Sequence, residues 1–340
     1  MTWRACAAHF AAFCALLFSR QAESQLPAAA KPIRAIGTAH GSVEEAFSFI
    51  GDVEVSRAGG VFVLDRFARH IAWFDAEGRF VQRIGREGRG PGEFQTPYAM
   101  AVDDSDRLHV YDSSNRRVSV YAISDRTATH LADHQLEVRA RDICTLRGRR
   151  FLLTPHEPMV VQELRSDGTV LRSLVPREEP EPDVVRKVAD HLGTARAYYN
   201  AALLACDVQS ETIALAHENV PIVRLFGIDG RQRWRTVLQD FHGRILGVTE
   251  RGGFSFRTDP KRDASHSASA LAFVAGRLVV TLWEGGASNP EGRLEARVIE
   301  LSSGREVDRQ MPPARLTKVL GNRSYAFVQH PYPAVLLYAR

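Results

Sequence analysis

The chain contains a segment that nearly repeats itself about 47 residues later. The first copy runs from Ala35 to Phe74, the second runs from Arg83 to Tyr121, and Asp65 of the first aligns with Asp112 of the second. In each copy, short runs of alternating apolar and polar residues are separated by glycine and aspartate, which favour turns. A unit of this length with several short strands is typical of a repeat that stacks on its neighbours to bury its apolar surface.

One strand of each unit can be followed along the whole chain, and it counts the units. It is a short, mostly apolar run that ends at a polar corner, and it occurs six times: VFVLD (61–65), LHVYD (108–112), FLLTP (151–155), IALAH (213–217), LVVTLW (278–283) and YAFVQ (325–329). Six such units predict an all-β protein, a six-bladed β-propeller in which the blades pack around a central axis.

The two ends of the chain are predicted to complete the ring together. The last unit supplies only three strands, and PIRAIG (Pro32–Gly37) matches the fourth strand of the first unit, RFVQRIG (79–85). Pairing this N-terminal strand with the last blade would leave no open sheet edge. We therefore expect residues 25–340 to form one propeller whose last blade is closed by the N-terminal strand.

The first 24 residues have the features of a secretory signal peptide. Arg4 precedes the apolar run Ala5–Phe18, and Ala22 and Ser24 offer small residues for cleavage before Gln25. The apolar run is too short to span a bilayer comfortably. The sequence predicts export to the periplasm or the medium after removal of residues 1–24, with no stable membrane span.

The charge pattern argues against a nucleic-acid partner. The formal net charge is +4, and loss of the signal peptide lowers it to +3. Basic and acidic residues are interleaved, and no run of five like charges occurs. We expect a monomer that binds a protein or a small molecule, and no nucleic acid.

Two cysteines, Cys144 and Cys206, remain after signal removal, and an exported protein commonly pairs them. Each lies seven residues before the start of a counted strand, Phe151 for the first and Ile213 for the second. This places them at equivalent positions in neighbouring units, where side chains point the same way relative to their own blades. We therefore expect free thiols rather than a disulfide.

Two long connections interrupt the repeat and are predicted to project from one face. Arg177–Tyr199 should contain a short helix from Asp183 to Gly193, and Gly252–Ala268 reads as a polar loop. Long insertions on a rigid scaffold often carry binding function. The candidate ligand-binding residues, which no strand of the repeat needs, are Tyr198, Tyr199, Phe254, Phe256 and Arg257.

The segment Ile84–Ala122 resembles an NHL-type repeat. The matching features are the GxGPGEF connection, Pro97 before the inner strand, the D-x-D-R turn and the YDSSNRRV corner, and the likeness extends over residues 32–121. The family includes binding and scaffold propellers as well as lyases and lactonase-like enzymes. The resemblance therefore implies a fold and leaves the activity open.

These observations predict a non-catalytic binding or scaffold protein that presents a loop-rich face and needs no cofactor. The alternative is a metal-dependent hydrolase or lyase at the central channel, with one zinc or calcium ion. Its candidate ligands are Asp65, Asp112, His217 and His330 at corresponding corners of the units. Such carboxylates more often accept hydrogen bonds from turn amides.

Overall fold

The computed structural model of the chain describes residues 31–37, 46–124, 126–286, 289–320, 322–329 and 332–339. These residues form six four-stranded antiparallel sheets and one small two-stranded sheet. The protein is a six-bladed β-propeller, as the repeat predicts. The predicted signal peptide, residues 1–24, lies outside the described residues.

Each blade is a meander in which the first strand lies at the axis and the fourth lies at the rim. The strands of the first three blades are β2 (Ile50–Val55), β3 (Val61–Asp65), β4 (His70–Phe74) and β5 (Phe80–Ile84) in blade 1; β6 (Pro97–Val102), β7 (Arg107–Asp112), β8 (Arg117–Ser124) and β9 (Thr127–Gln135) in blade 2; and β10 (Asp142–Leu146), β11 (Arg149–Leu153), β12 (Met159–Leu164) and β13 (Val170–Pro176) in blade 3.

The last three blades follow the same order, although the sixth takes its outer strand from the N-terminus. Their strands are β14 (Ala202–Asp207), β15 (Thr212–His217), β16 (Ile222–Gly227) and β17 (Gln232–Val237) in blade 4; β20 (Ser265–Val274), β21 (Arg277–Gly286), β22 (Asn289–Glu300) and β23 (Glu306–Gln310) in blade 5; and β24 (Arg315–Leu320), β25 (Arg323–Val328), β26 (Ala334–Ala339) and β1 (Arg34–Ile36) in blade 6.

The N-terminal strand β1 is the outer strand of blade 6. It pairs antiparallel with β26, with Arg34 opposite Leu337 and Ile36 opposite Val335. Ile36 is buried in a core cluster with Phe47 of the segment leading into blade 1. The two ends of the described chain therefore meet in one sheet, which joins blade 6 to blade 1.

The core lies between the blades, because each sheet packs both of its faces on its neighbours. In β3, Val61 and Val63 pack toward blade 6, whereas Phe62 and Leu64 pack toward blade 2. All five residues of β3 are buried. A strand covered on both faces has a continuous apolar sequence, which explains why the counted strands are the clearest signal in the repeat.

The inner strands β2, β6, β10, β14, β20 and β24 contact one another in a closed circle around the axis. All six begin at the same end of the propeller, which we call the top face. Because the blades are antiparallel meanders, the connections between second and third strands also lie at the top face. The connections between first and second strands lie at the opposite bottom face.

Each insertion leads into the start of an inner strand, β14 for the first and β20 for the second. Both insertions therefore lie on the top face. The first contains α1 (Pro182–Lys187), a 3-10 turn (Ala189–His191) and α2 (Leu192–Asn200). The predicted helix end at Gly193 is wrong, since Gly193 lies in α2. A Cβ at this glycine would meet no atom within 4 Å, so the residue is tolerated there rather than needed to end a helix.

The second insertion contains a hairpin where the sequence predicted a polar loop. Its strands β18 (Ile245–Val248) and β19 (Phe254–Arg257) pair antiparallel. The hairpin begins before the predicted boundary at Gly252, and the end of the predicted loop, from Ser265, belongs to β20. Two strands of four residues are too short to give a clear alternating pattern.

The prediction of free thiols is wrong, because Cys144 and Cys206 form a disulfide with their Cα atoms 5.7 Å apart. Cys144 lies opposite Phe151 and Cys206 lies opposite Ile213. Directly opposed residues in a sheet share a face, and Phe151 and Ile213 pack in the same cluster between blades 3 and 4. The two sulfurs therefore point toward each other.

The error has a structural cause in the register of blade 3. Phe151 packs on blade 4, so it corresponds to Phe62 of blade 1, which faces the next blade, rather than to Val61, which faces the previous one. Ile213 of blade 4 faces the previous blade. A shift of one residue reverses the direction of every side chain in a strand. The two cysteines are therefore not at equivalent positions, and they point in opposite directions relative to their own blades.

Candidate functional site

The two insertions pack on each other and form one raised structure, which we call the platform (residues 182–200 and 245–257). Its apolar centre consists of Val188 between α1 and the 3-10 turn, Ala195 of α2 and Leu246 of β18. The Nε2–H of His191 donates a hydrogen bond of 2.7 Å to the carbonyl oxygen of Gly252. The helices and the hairpin therefore support each other.

The structure brings four of the five predicted ligand-binding residues together. Tyr198 stacks on Phe256 with ring centroids 6.0 Å apart, and Tyr199 and Phe254 pack around the apolar centre. Burial raises the pKa of Tyr198 to about 12, so its hydroxyl stays neutral. Arg257 is exposed and points away from this group, since it alternates with Phe256 along β19.

The outer surface of the platform is both apolar and basic. The exposed fractions are 50% for Phe256 and 43% for Val248, and the guanidinium carbon of Arg244 lies 5.2 Å from the ring centre of Phe256. Residues 244–262 contain five basic and two acidic side chains. Exposed aromatic rings beside arginine are common in protein recognition surfaces.

Beside the platform, a channel of about 1010 Å³ runs along the propeller axis. All six inner strands line it. Its mouth at the top face carries polar side chains that lie at or just before the start of an inner strand, or directly follow a second strand. They are Arg66, Tyr98, Arg141, Glu218 and Gln329.

Two arginines of the mouth share one tyrosine ring. The guanidinium carbon of Arg66 lies 3.7 Å from the ring centre of Tyr98, and that of Arg141 lies 5.6 Å from it. Arg141 is also held by Glu218 through two hydrogen bonds, Nε to Oε1 at 2.8 Å and Nη2 to Oε2 at 2.6 Å. The sequence pattern does not reveal this cluster, because its residues come together from different blades.

Below the mouth, two aspartates occupy corresponding positions and each joins an inner strand to the next. Asp52 accepts hydrogen bonds of 2.8 Å from the amides of Val53 and Met100. Asp142 accepts bonds of 2.8 Å from the amides of Ile143 and Leu204. Met100 and Leu204 belong to the following blades, so the carboxyl groups fasten neighbouring inner strands at the channel wall.

Burial makes both carboxyl groups weak acids. Burial, and next the negative charge of Glu54, raise the pKa of Asp52 to about 7. Burial and then the charge of Asp52 raise the pKa of Asp142 well above its usual range. At neutral pH the carboxyl group of Asp52 is therefore partly protonated and can donate as well as accept hydrogen bonds.

A partly exposed ion pair lies further along the channel. Lys318 Nζ is 3.0 Å from Glu54 Oε2, which joins blade 6 to blade 1. Burial by itself disfavours the ammonium, but Glu54 outweighs it and the pKa of Lys318 is raised. The lysine therefore stays charged and adds no free cation to the channel.

The carboxylates proposed as metal ligands in the alternative interpretation have other partners. Asp65 is fully buried and accepts hydrogen bonds from the amides of Ser48, Phe49 and Ala68. Asp112 does the same in blade 2, with bonds from the amides of four residues and from one side-chain amide. These bonds fix the corners of the blades, as turn carboxylates usually do.

His217 is hydrogen-bonded to the C-terminal end of the first insertion. Its Nδ1–H donates a hydrogen bond of 2.6 Å to the carbonyl oxygen of Tyr199, and burial lowers its pKa to about 4. His330 lies outside the described residues. Within the described part of the chain, no group of three His, Cys, Asp or Glu residues could hold a metal ion.

Known proteins share this architecture. A family model described as a 6-bladed beta-propeller matches residues 44–156. The chain is similar to a protein of Bacteroides fragilis NCTC 9343 named as a candidate exported protein, with 11% identity, a TM-score of 0.58, and coverage of 88% of this chain and 93% of that one.

It is also similar to a catalytically inactive virginiamycin B lyase from Staphylococcus aureus, crystallised with quinupristin. That likeness has 11% identity, a TM-score of 0.50, and coverage of 86% of this chain and 95% of the lyase. At such identities the likeness shows the fold alone. No curated protein matches the sequence. Among the described residues, no helix is long and apolar enough to cross a membrane.

Proposed function

We propose that the protein is an exported, non-catalytic β-propeller that binds a protein or small ligand at its top face. The observation that carries this proposal is the meeting of two insertions, distant in sequence, in one platform beside the mouth of the channel. Such a surface is held by an apolar centre and by the rigid ring below it. Loops on rigid scaffolds are where recognition surfaces are commonly found.

Export is supported by the signal-like N-terminus and by the disulfide. A disulfide between inner strands is expected to persist in an oxidising compartment and to be rare in a reducing one. The bond fastens blade 3 to blade 4 beside the channel. This suits a protein that must keep its binding face in shape outside the cell.

We prefer binding to metal-dependent catalysis because the candidate metal ligands already have hydrogen-bond partners in the fold. Asp65 and Asp112 are saturated by amide donors, and His217 faces a carbonyl oxygen. A metal at either carboxylate would have to displace several hydrogen bonds that hold a blade corner. The exposed aromatic and basic surface of the platform, in contrast, satisfies no requirement of the fold.

The proposal predicts where the partner contacts the protein. A photo-crosslinking amino acid at position 256 in the native host should give a discrete covalent adduct. The same amino acid at position 208 should give none. Val208 is a matched control because it is an apolar residue with 39% exposure in a bottom-face connection. Adducts are read by denaturing electrophoresis and mass spectrometry.

A second variant separates contact from mere proximity. Tyr198→Ala should reduce the adduct formed at position 256, because the ring stacks on residue 256 and positions it. Equal adduct patterns at positions 256 and 208, or an adduct at position 208 alone, would contradict the proposal. Circular dichroism of each variant confirms that the propeller is intact.

A further inference from the structure

We propose that Arg66 and Tyr98 form a binding site for the carboxylate of a small organic anion at the top mouth of the channel. This inference rests on the proposed function, since it assigns the chemistry of a ligand at the top face. The site combines residues of blades 1 and 2. It is separate from the platform surface, although both open on the same face.

Arg66 is the arginine of the mouth that has donors to spare. Its Nε is buried and has no hydrogen-bond partner in the part of the chain that the structure describes. No carboxylate of the described residues forms an ion pair with it, whereas Arg141 is bonded to Glu218 on both nitrogens of its fork. The terminal amino groups of Arg66 are not buried and also bond no acceptor among the described residues, so they are the donors that a ligand can reach.

The tyrosine ring fixes how an anion can approach. Because the guanidinium lies over the face of Tyr98 at 3.7 Å, its N–H groups point outward in their own plane. This edge matches the two oxygens of a carboxylate, which arginine binds through two parallel hydrogen bonds. Asp65, the neighbour in sequence, cannot serve, because its oxygens accept bonds from backbone amides.

The charge at the mouth favours a monoanion. Arg66 and Arg141 carry two positive charges and Glu218 carries one negative charge, so one positive charge is uncompensated. A second negative charge on the ligand would meet Glu218 and, further along, Glu54. A carboxylate therefore fits better than a phosphate dianion, although arginine can bind both.

The volume and the lining of the rest of the channel indicate the size and polarity of the part of the ligand beyond its carboxylate, which we call its body. The channel volume of about 1010 Å³ is at the upper end of small-molecule pockets. Half-buried apolar residues of the inner strands, including Leu203 and Phe273, line the wall together with the carboxyl groups of Asp52 and Asp142. The class of ligand is an organic monocarboxylate with an uncharged, partly apolar body that can hydrogen-bond at its far end.

Calorimetry with simple probes tests the site on the full mature protein. Benzoate should bind the wild type with a dissociation constant in the millimolar range, and Arg66→Gln should weaken binding at least tenfold, the equivalent of about 1.4 kcal/mol. Arg66→Lys keeps the charge without the planar fork and should give an intermediate loss. Benzamide, which lacks the charge, should bind far more weakly than benzoate.

The matched control is Arg79→Gln, whose side chain is 67% exposed, pairs with Asp75 and does not line the channel. It should leave benzoate binding unchanged. Equal benzoate affinity in the wild type and Arg66→Gln would overturn the site, as would no binding at all at about 10 mM. Tighter binding of inorganic phosphate than of benzoate would overturn the carboxylate class.

Benzoate binding and the adduct at position 256 can fail independently of each other. If benzoate fails to bind while the adduct at position 256 forms, the anion site is wrong and the binding face stands. If benzoate binds through Arg66 but no adduct forms at position 256, the platform is not the partner surface. In NMR spectra, the Nε–H signal of Arg66 can be assigned because it disappears in Arg66→Gln. This signal should shift when benzoate is added, because the benzoate carboxylate contacts the Arg66 guanidinium directly.

Discussion

Replacement of both Cys144 and Cys206 by alanine is expected to lower the free energy of unfolding by about 4 kcal/mol under oxidising conditions. The bond closes a sequence separation of 62 residues, and a cross-link over such a loop restricts the unfolded chain strongly. Its loss also removes the covalent link between β10 and β14 beside the channel. Chemical denaturation of the two proteins without reductant measures the difference.

Reduction provides the internal control. A reducing agent should destabilise the wild type by a similar amount and should leave the double variant unchanged. Thiol titration of the denatured, unreduced wild type should find no free thiol in the mature chain. Two reactive thiols, or equal stability of the two proteins, would show that the cysteines are not bonded in solution.

The second prediction concerns pH and Asp52. Its carboxyl has a pKa of about 7 in the folded protein against 3.8 for an ordinary aspartate, so the folded state binds its proton more tightly. The resulting stabilisation is fully present below about pH 4 and is lost as the pH rises through 7. At ~1.4 kcal/mol per pKa unit, the loss is about 2–4 kcal/mol, with water in the channel reducing it.

Asp52→Asn should therefore flatten the pH dependence of unfolding. The variant loses one amide hydrogen bond at every pH, but between about pH 4 and pH 8 its stability should fall less than that of the wild type. It should also ease ionisation of Asp142, whose pKa Asp52 helps to raise. The control Asp104→Asn, at an exposed ion pair, should keep the wild-type slope. Parallel curves for wild type and Asp52→Asn would contradict the assignment.

The number of blades could be predicted from sequence because one strand per blade is buried on both faces. Runs such as VFVL (61–64) and LVV (278–280) are continuously apolar, so they are visible even where the turns have diverged. The same property hides the register. Arg150 is buried in its strand although it is charged, so apolar character pointed to Phe151 as the counterpart of Val61. This one-residue error reversed the direction assigned to Cys144.

The candidate site was only partly predictable, for a related reason. Tyr198 and Phe256 could be found because aromatic residues in insertions have no role in the repeat. Arg66 and Arg141 could not, because each follows or precedes a strand as an ordinary polar corner residue. Their shared contact with Tyr98 depends on the closure of the ring, which brings blades 1, 2 and 3 to one mouth.

The central claim is a closed ring that holds the platform and the channel mouth on one face. Its most direct test is an engineered disulfide between β1 and β26, where Ala35 lies opposite Leu336. Oxidation of Ala35→Cys/Leu336→Cys should give a cross-link within one chain, whereas Ala35→Cys/Ala339→Cys, displaced by about 10 Å along the strand, should not. Failure of the first pair to cross-link, or cross-links only between chains, would contradict the closed ring.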